Sequence, residues 1–245
     1  MRAQTPQHSL PEEIQVLSLP LPRRVTVVFD ESTSPYLMVG AALFESTYEE
    51  TERRIAELYA RTRDLYYLDD LESFELHKSN SFHASEDPRE AYTFFVDLLA
   101  GLMPLRICIL FTRGERRPDL GEVQTLAVLY RELIRTVLQS VRSADEVHLI
   151  FETHQSLNSK FAAIVGSASK SVSGRYTLTT SVGQKRKPHA LAVADYAMHI
   201  FNRWNAAGRP TDPKNHEYRN WKAIRRSISM VRSLEDGTII RRGLP

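Results

Sequence analysis

Short apolar runs alternate with longer amphipathic stretches along this chain, and each change of period marks an element. The run Val25-Thr26-Val27-Val28-Phe29 is closed by Asp30, and a compact run of β-branched and aromatic residues reads as a buried strand over residues 25–30. After Ser32-Thr33-Ser34-Pro35, the apolar residues 36–44 are expected to return as its antiparallel hairpin partner. Ser46 followed by Glu49 is a capping-box spacing, and Ile55, Leu58, Tyr59 and Leu65 give the stripe of a helix ending near residue 66. Residues 69–77 show no period and read as irregular chain. Asp87-Pro88-Arg89-Glu90 then sets an acidic cap, a proline and an early acid at the start of a second helix, which runs to about residue 102 before Pro104.

The second half continues the alternation. Ile107, Ile109 and Phe111 share one face of a strand over 105–111, and Leu126, Leu129, Tyr130, Leu133 and Val137 mark a long amphipathic helix over 122–141. A strand over 147–152 ends on Glu152, a helix is expected over about 157–168, and Tyr176 to Val182 alternate as a further strand. The last core helix is expected over 189–204, stopped by Gly208-Arg209-Pro210. Asp195 lies on it between Leu191 and Met198, which share its face, so this acid points along an apolar stripe. A charge in such a place needs a partner.

With 245 residues, 42% of them hydrophobic and 25% charged, the chain suits one large soluble core. No apolar run approaches the ~20 residues of a membrane span. Residues 1–24 are polar and carry four prolines without the apolar stretch of a signal peptide, so a partly disordered lead-in and a cytoplasmic location are expected. Cys108 is the only cysteine, which excludes an internal disulfide and a cysteine-based zinc site.

Charge is unevenly divided. From Lys170 onward there are fifteen Lys and Arg against five Asp and Glu, although the whole chain carries only +2. Lys185, Arg186 and Lys187 precede the last core helix, and Arg219, Lys222, Arg225 and Arg226 follow it near Tyr218 and Trp221. Clustered cations beside aromatic rings suit a phosphate backbone with nearby bases, so these seven residues are the expected nucleic-acid contacts. The expected division is a lead-in at 1–24, one main domain at 25–205 with a helical insertion at about 47–102, and a basic C-terminal extension at 206–245.

With the insertion set aside, the elements read β-β-β-α-β-α-β-α. That order resembles the ribonuclease H-like fold, an α/β mixed sheet flanked by helices, here with a helical insertion after the second strand. Asp30-Glu31-Ser32 after a strand, the isolated Glu75-Leu76-His77, an acid closing a later strand, and Ala194-Asp195 in the last helix further resemble the family catalogued as domain of unknown function 3800. Thr33 stands where that family commonly has Gly, Phe151-Glu152 where it has Asp-Glu, and Leu191-Ala192-Val193-Ala194-Asp195 lacks its Gln. The resemblance implies a candidate catalytic site of Asp30, Glu75, His77, Glu152 and Asp195, with the four acids as metal ligands. Glu122 and Glu132 on the long helix remain alternatives to Glu75.

Carboxylates at the tips of adjacent strands can bridge two divalent ions about 4 Å apart, one activating water and the other stabilising the leaving oxygen. Oxygen ligands suit Mg²⁺ or Mn²⁺. His77 is positioned in sequence to orient a water or take a proton, and His154 and His189 lie near the same edge without an assigned role. No glycine-rich phosphate loop, nucleophile elbow or His-Glu-x-x-His motif is present in the sequence. The expectation is a divalent-metal-dependent nuclease or related phosphodiesterase. The alternative is a non-catalytic module on the same fold that binds nucleic acid or a protein partner.

Overall fold

A computed structural model describes residues 22–115 and 118–242. The expected lead-in falls outside the described residues as far as residue 21. The described chain builds β1 (Arg24–Ser32), β2 (Leu37–Phe44), α1 (Tyr48–Thr62), α2 (Glu72–Asn80), α3 (Arg89–Ala100), β3 (Arg106–Thr112), α4 (Glu122–Ser140), β4 (Glu146–Glu152), α5 (Phe161–Ser169), β5 (Thr177–Gly183), α6 (Leu191–Ala206), α7 (His216–Ile224), β6 (Ile228–Ser233) and β7 (Gly237–Arg241). No described helix is long and apolar enough to cross a membrane.

The seven strands form one sheet in the order β5-β4-β1-β2-β3-β6-β7. β1, β2 and β3 are an antiparallel meander, and β4 and β5 continue parallel to β1 on the other side. This is the ribonuclease H-like arrangement that the element order predicts. Side chains alternate across a strand, so the central strands serve two cores at once. Val28, Ala42, Ile109 and Ile150 pack beneath α1, α3, α6 and α7, whereas Val27, Phe29, Leu110, Leu149 and Phe151 pack against α4 and α5.

Two segments correct the sequence reading. Residues 69–77, read as irregular, hold most of α2 (Glu72–Asn80), which buries only Phe74 and His77. A helix carrying so narrow an apolar stripe leaves no amphipathic period to detect. The basic segment after residue 206, read as an extension, contributes α7, β6 and β7, and β6 pairs in parallel with β3. Its strand is a brief Ile228-Ser229-Met230-Val231 stretch bracketed by arginines, which charge counting obscures. The insertion between β2 and β3 likewise holds three α-helices and a short 3-10 turn at Tyr66–Leu68 where two helices are expected.

Gly40 links the fold to the site. It lies opposite Asp30 in the β1–β2 register, and a Cβ there would stand 2.9 Å from Met198 Cγ and 3.3 Å from the Ala194 carbonyl oxygen. Only a residue without a side chain lets α6 come this close to the strands and bring Asp195 beside Asp30. Gly40→Val is therefore expected to cost about 1–3 kcal/mol through overpacking, read from urea unfolding; wild-type stability in that variant would show that α6 has room to spare.

Candidate active site

Strand alternation and parallel register place the first two acids. Phe29 and Phe151 are opposite one another in β1 and β4, both on the α4 side. The next residue on each strand, Asp30 and Glu152, therefore faces α6. The edge they share is the carboxyl end of the parallel strands, where open α/β sheets bind ligands. α6 crosses that face and supplies Asp195. Its N-terminus is fixed from α1, because the Glu52 carboxylate accepts hydrogen bonds from the backbone N–H groups of His189 and Ala190, both at 2.8 Å.

The three carboxylates converge on one cation, and that cation is Lys185. Its Nζ lies 3.2 Å from Asp30 Oδ2, 3.3 Å from Glu152 Oε2 and 3.0 Å from Asp195 Oδ2. Lys185 sits in the tight turn between β5 and α6, where Gln184 and Lys187 bond each other's backbone, and its side chain is only 6% exposed. This corrects its expected place on the basic surface: three acids give the ammonium a better environment than water gives it beside Arg186 and Lys187. Arg186 and Lys187 are exposed, as are Arg219, Lys222, Arg225 and Arg226. None of these six lines the cavity at the carboxylates.

Burial and mutual charge set the protonation of the cluster. Burial pushes the Asp30 carboxyl well above the usual range, helped by Glu152 and Asp195 and opposed by Lys185. Burial also works to raise Asp195, but Lys185, the nearby His83 and the Ala84 N–H outweigh it and hold that carboxyl below the usual range. For Lys185, burial works to lower the pKa, and the attraction of Asp30, Asp195 and Glu152 carries it upward instead. Neighbouring Glu31 faces the opposite core, accepts a hydrogen bond from the Tyr130 hydroxyl, and is pushed up to about 7 by burial and then by Asp30.

These groups line a cavity of about 620 Å³ whose walls include the Ser32–Pro35 loop, His83, His154, His199 and Arg203. His83 Nδ1 stands 3.9 Å from Asp195 Oδ2 and 3.1 Å from Ser85 Oγ. Burial holds His199 below the ordinary imidazole range. Lys185, Glu31, His83 and His199 were not among the acids and bases that the sequence singled out for chemistry here. Only Glu31, next to Asp30, carries a local signal in the sequence.

Two expected members stand elsewhere. Glu75 is exposed on α2, paired with Lys78 Nζ at 2.8 Å, and does not line the cavity. Its alternatives are no nearer: Glu132 pairs with Arg135 at 2.6 Å, Glu122 is exposed in the first turn of α4, and neither lines the cavity. His77 is wholly buried beneath the site, with Nδ1 2.7 Å from Asp87 Oδ1 and Nε2 2.9 Å from Thr62 Oγ1. Asp87 Oδ2 in turn accepts hydrogen bonds from the His83 N–H and the Tyr196 hydroxyl. That network anchors the loop whose Ala84 N–H donates to Asp195 Oδ2 at 2.9 Å. His77 thus acts through Asp87 on the loop. His77→Ala is expected to cost about 2–4 kcal/mol by leaving Asp87 buried without this partner, measured by chemical denaturation; a loss under about 0.5 kcal/mol would contradict the anchoring role.

The donor set can be tested for a metal. All three candidate donors are hard oxygens, and the buried Asp30 Oδ2 accepts no hydrogen bond, a donor chemistry that suits Mg²⁺ or Mn²⁺. Among the described residues no three metal-ligating side chains stand ready-spaced around an ion. The carboxylates are instead spaced around the ammonium, at distances wider than the ~2.1 Å of a metal–oxygen bond. The donors fit a divalent ion, and Lys185 holds its place.

No protein-family model matches the chain, and no curated protein matches it in sequence. Among solved structures it is similar to Bst-RNase HIII in complex with Mn²⁺, at 13% identity and a TM-score of 0.44 over 77% of this chain and 56% of that one. It is also similar to the ribonuclease H2 from Pyrococcus horikoshii OT3, at 13% identity and a TM-score of 0.42 over 83% and 96%. A third is RNase HII from Archaeoglobus fulgidus in its complex with PCNA, at 13% identity and a TM-score of 0.36 over 83% and 90%.

Proposed function

We propose that the protein hydrolyses phosphodiester bonds in nucleic acid with Mg²⁺ or Mn²⁺ held by Asp30, Glu152 and Asp195. The observation that carries this reading is the convergence of three carboxylates from β1, β4 and α6 on one cation position inside a cavity open to solvent. A bound divalent ion supplies Lewis-acid stabilisation of phosphoryl charge and a more acidic water. His83, beside Asp195 and held by Ser85, is placed to accept a proton from the attacking water or return one to the leaving oxygen. Two ions remain the expectation from reaction class; the described carboxylates define one shared position. Asp30-Glu31-Ser32, Glu75-Leu76-His77 and Ala194-Asp195 support membership of the domain of unknown function 3800 family, with His77 in a supporting place beneath the site. The single cysteine, Cys108, is free and buried, as suits the reducing cytoplasm.

Arg186, Lys187, Arg219, Lys222, Arg225 and Arg226 are assigned to the phosphate backbone, outside the reacting centre. The test is a panel of single-stranded, duplex and hybrid substrates with Mg²⁺ or Mn²⁺. Wild type should cleave only with metal, and Asp30→Asn should bind without cleaving. Neutralising Arg186 and Lys187 together should weaken binding across sequences and flatten its salt dependence by about two counterions' worth, with cleavage falling only through binding.

One observation favours a second reading. Lys185 already gives the buried acids a shared counter-charge without a metal, as a non-catalytic nucleic-acid-binding module would require. Binding of the panel without cleavage under any metal condition selects that reading.

A further inference from the structure

We propose that Lys185 is an internal counter-ion that occupies the cation position in the metal-free protein and is displaced into the cavity when a divalent ion binds. This rests on the metal-dependent reading above and assigns a residue to the control of ion loading. Lys185 Nζ donates a hydrogen bond to Asp195 Oδ2 at 3.0 Å and stands within ion-pair range of Asp30 Oδ2 and Glu152 Oε2, at 3.2 and 3.3 Å. A metal drawing those same oxygens to ~2.1 Å leaves no room for Nζ among them. It would also set a divalent charge against a monovalent one in a buried site, so the two cations exclude each other.

The surroundings provide a way out for the side chain. Lys185 belongs to a turn at the molecular surface, Gln184, Arg186 and Lys187 beside it are exposed, and Lys185 itself forms part of the wall of the 620 Å³ cavity. Rotation about its four-carbon stem moves the ammonium from the carboxylates to that cavity with the backbone unchanged. Both aspartates keep an anchor of their own, since Asp195 still accepts the Ala84 N–H and Asp30 still accepts the Glu31 N–H at 2.7 Å. A monovalent ion offers no more charge than the tethered ammonium it must replace. The site therefore selects for divalent ions, and the expelled ammonium adds a positive charge to the cavity only when the metal is loaded.

Amine acetylation of the wild-type protein, read at individual lysines by peptide mass spectrometry with and without Mn²⁺, tests the displacement. Mn²⁺ binding is followed separately by the electron paramagnetic resonance of the free ion. Lys185 should be protected without metal and acetylated at least about tenfold faster with it, whereas exposed Lys187 should be unchanged. Lys185→Met should bind Mn²⁺ at least about tenfold more tightly than wild type, because no internal cation competes. If Mn²⁺ binds while Lys185 stays protected, or if Lys185→Met folds and binds no more tightly, displacement is wrong and the metal reading survives. If neither protein binds Mn²⁺, the metal reading itself fails and displacement falls with it. Should Lys185→Met not fold, the wild-type labelling decides alone.

Discussion

Replacing Asp195 with Asn is expected to lower metal-dependent cleavage on the order of 10²–10³-fold, the scale of removing one fixed electrostatic contact to a reacting centre, and to remove the stabilisation conferred by Mn²⁺. A metal at 100 times its dissociation constant stabilises a native state by about 2.7 kcal/mol. For a chain of this size that is a rise of roughly 5–10 °C in Tm. Asp195→Asn should lose that rise. The metal-free variants of the two aspartates should then diverge. The Asp195 carboxyl is held below its ordinary range because Lys185, His83 and the Ala84 N–H together exceed the burial that works to raise it, so its contribution to stability is present above the unfolded carboxylate pKa and lost as pH falls through the lower folded value. Asparagine there forfeits the contribution, and metal-free Asp195→Asn should be less stable than wild type at pH 7. Asp30 is raised, chiefly by burial. Its native form binds a proton more tightly than the unfolded chain does, so its contribution is favourable below the unfolded pKa and is lost as pH rises through the folded value. Asp30→Asn should be at least as stable as wild type at pH 7 without metal. Thermal melts of the three proteins, with and without Mn²⁺, read all of this; equal metal shifts in wild type and Asp195→Asn would remove Asp195 from the ligand set.

Lys185→Met should have the largest effect on the metal-free protein. Removing one partner of a buried ion pair typically costs about 3–5 kcal/mol, because the remaining charge keeps its desolvation penalty. Here three carboxylates lose their shared cation at once. Part of the loss is relieved by protonation, since the acids left behind repel one another and Asp30 is already pushed upward. The destabilisation should therefore be greatest near pH 8 and shrink towards pH 5, and Mn²⁺ should reverse much of it. Urea unfolding at the two pH values measures the difference. A variant as stable as wild type at pH 8 would show that the ammonium contributes little to holding the acids together.

The fold was legible wherever burial imposes a period on the sequence. β1 and β4 are apolar on both faces because cores lie on both sides of them, and their acidic ends stand out for the same reason. Asp195 was legible because an acid flanked by Leu191 and Met198 has no solvent face to turn to. The rest of the site depends on contacts between distant segments, which periodicity does not encode. Lys185 reads as one letter of a basic run until the turn after β5 folds it under Asp30, 155 positions earlier in the sequence. His83 and His199 come from a loop and a helix brought together only by α6. Glu75 and His77 share a motif in sequence but not an environment: about half a helical turn separates them, sending Glu75 to solvent beside Lys78 and His77 inward to Asp87. The strand β6 went unread because Ser229 and Arg232 break up its apolar residues, and β7 because its apolar run is only Ile239-Ile240.

The most direct measurement is anomalous diffraction from crystals grown with Mn²⁺. The predicted result is a manganese peak bonded to oxygens of Asp30, Glu152 and Asp195, with Lys185 Nζ withdrawn into the cavity. No peak at millimolar Mn²⁺, with the Lys185 ammonium still bridging the three carboxylates, would contradict the metal-dependent account.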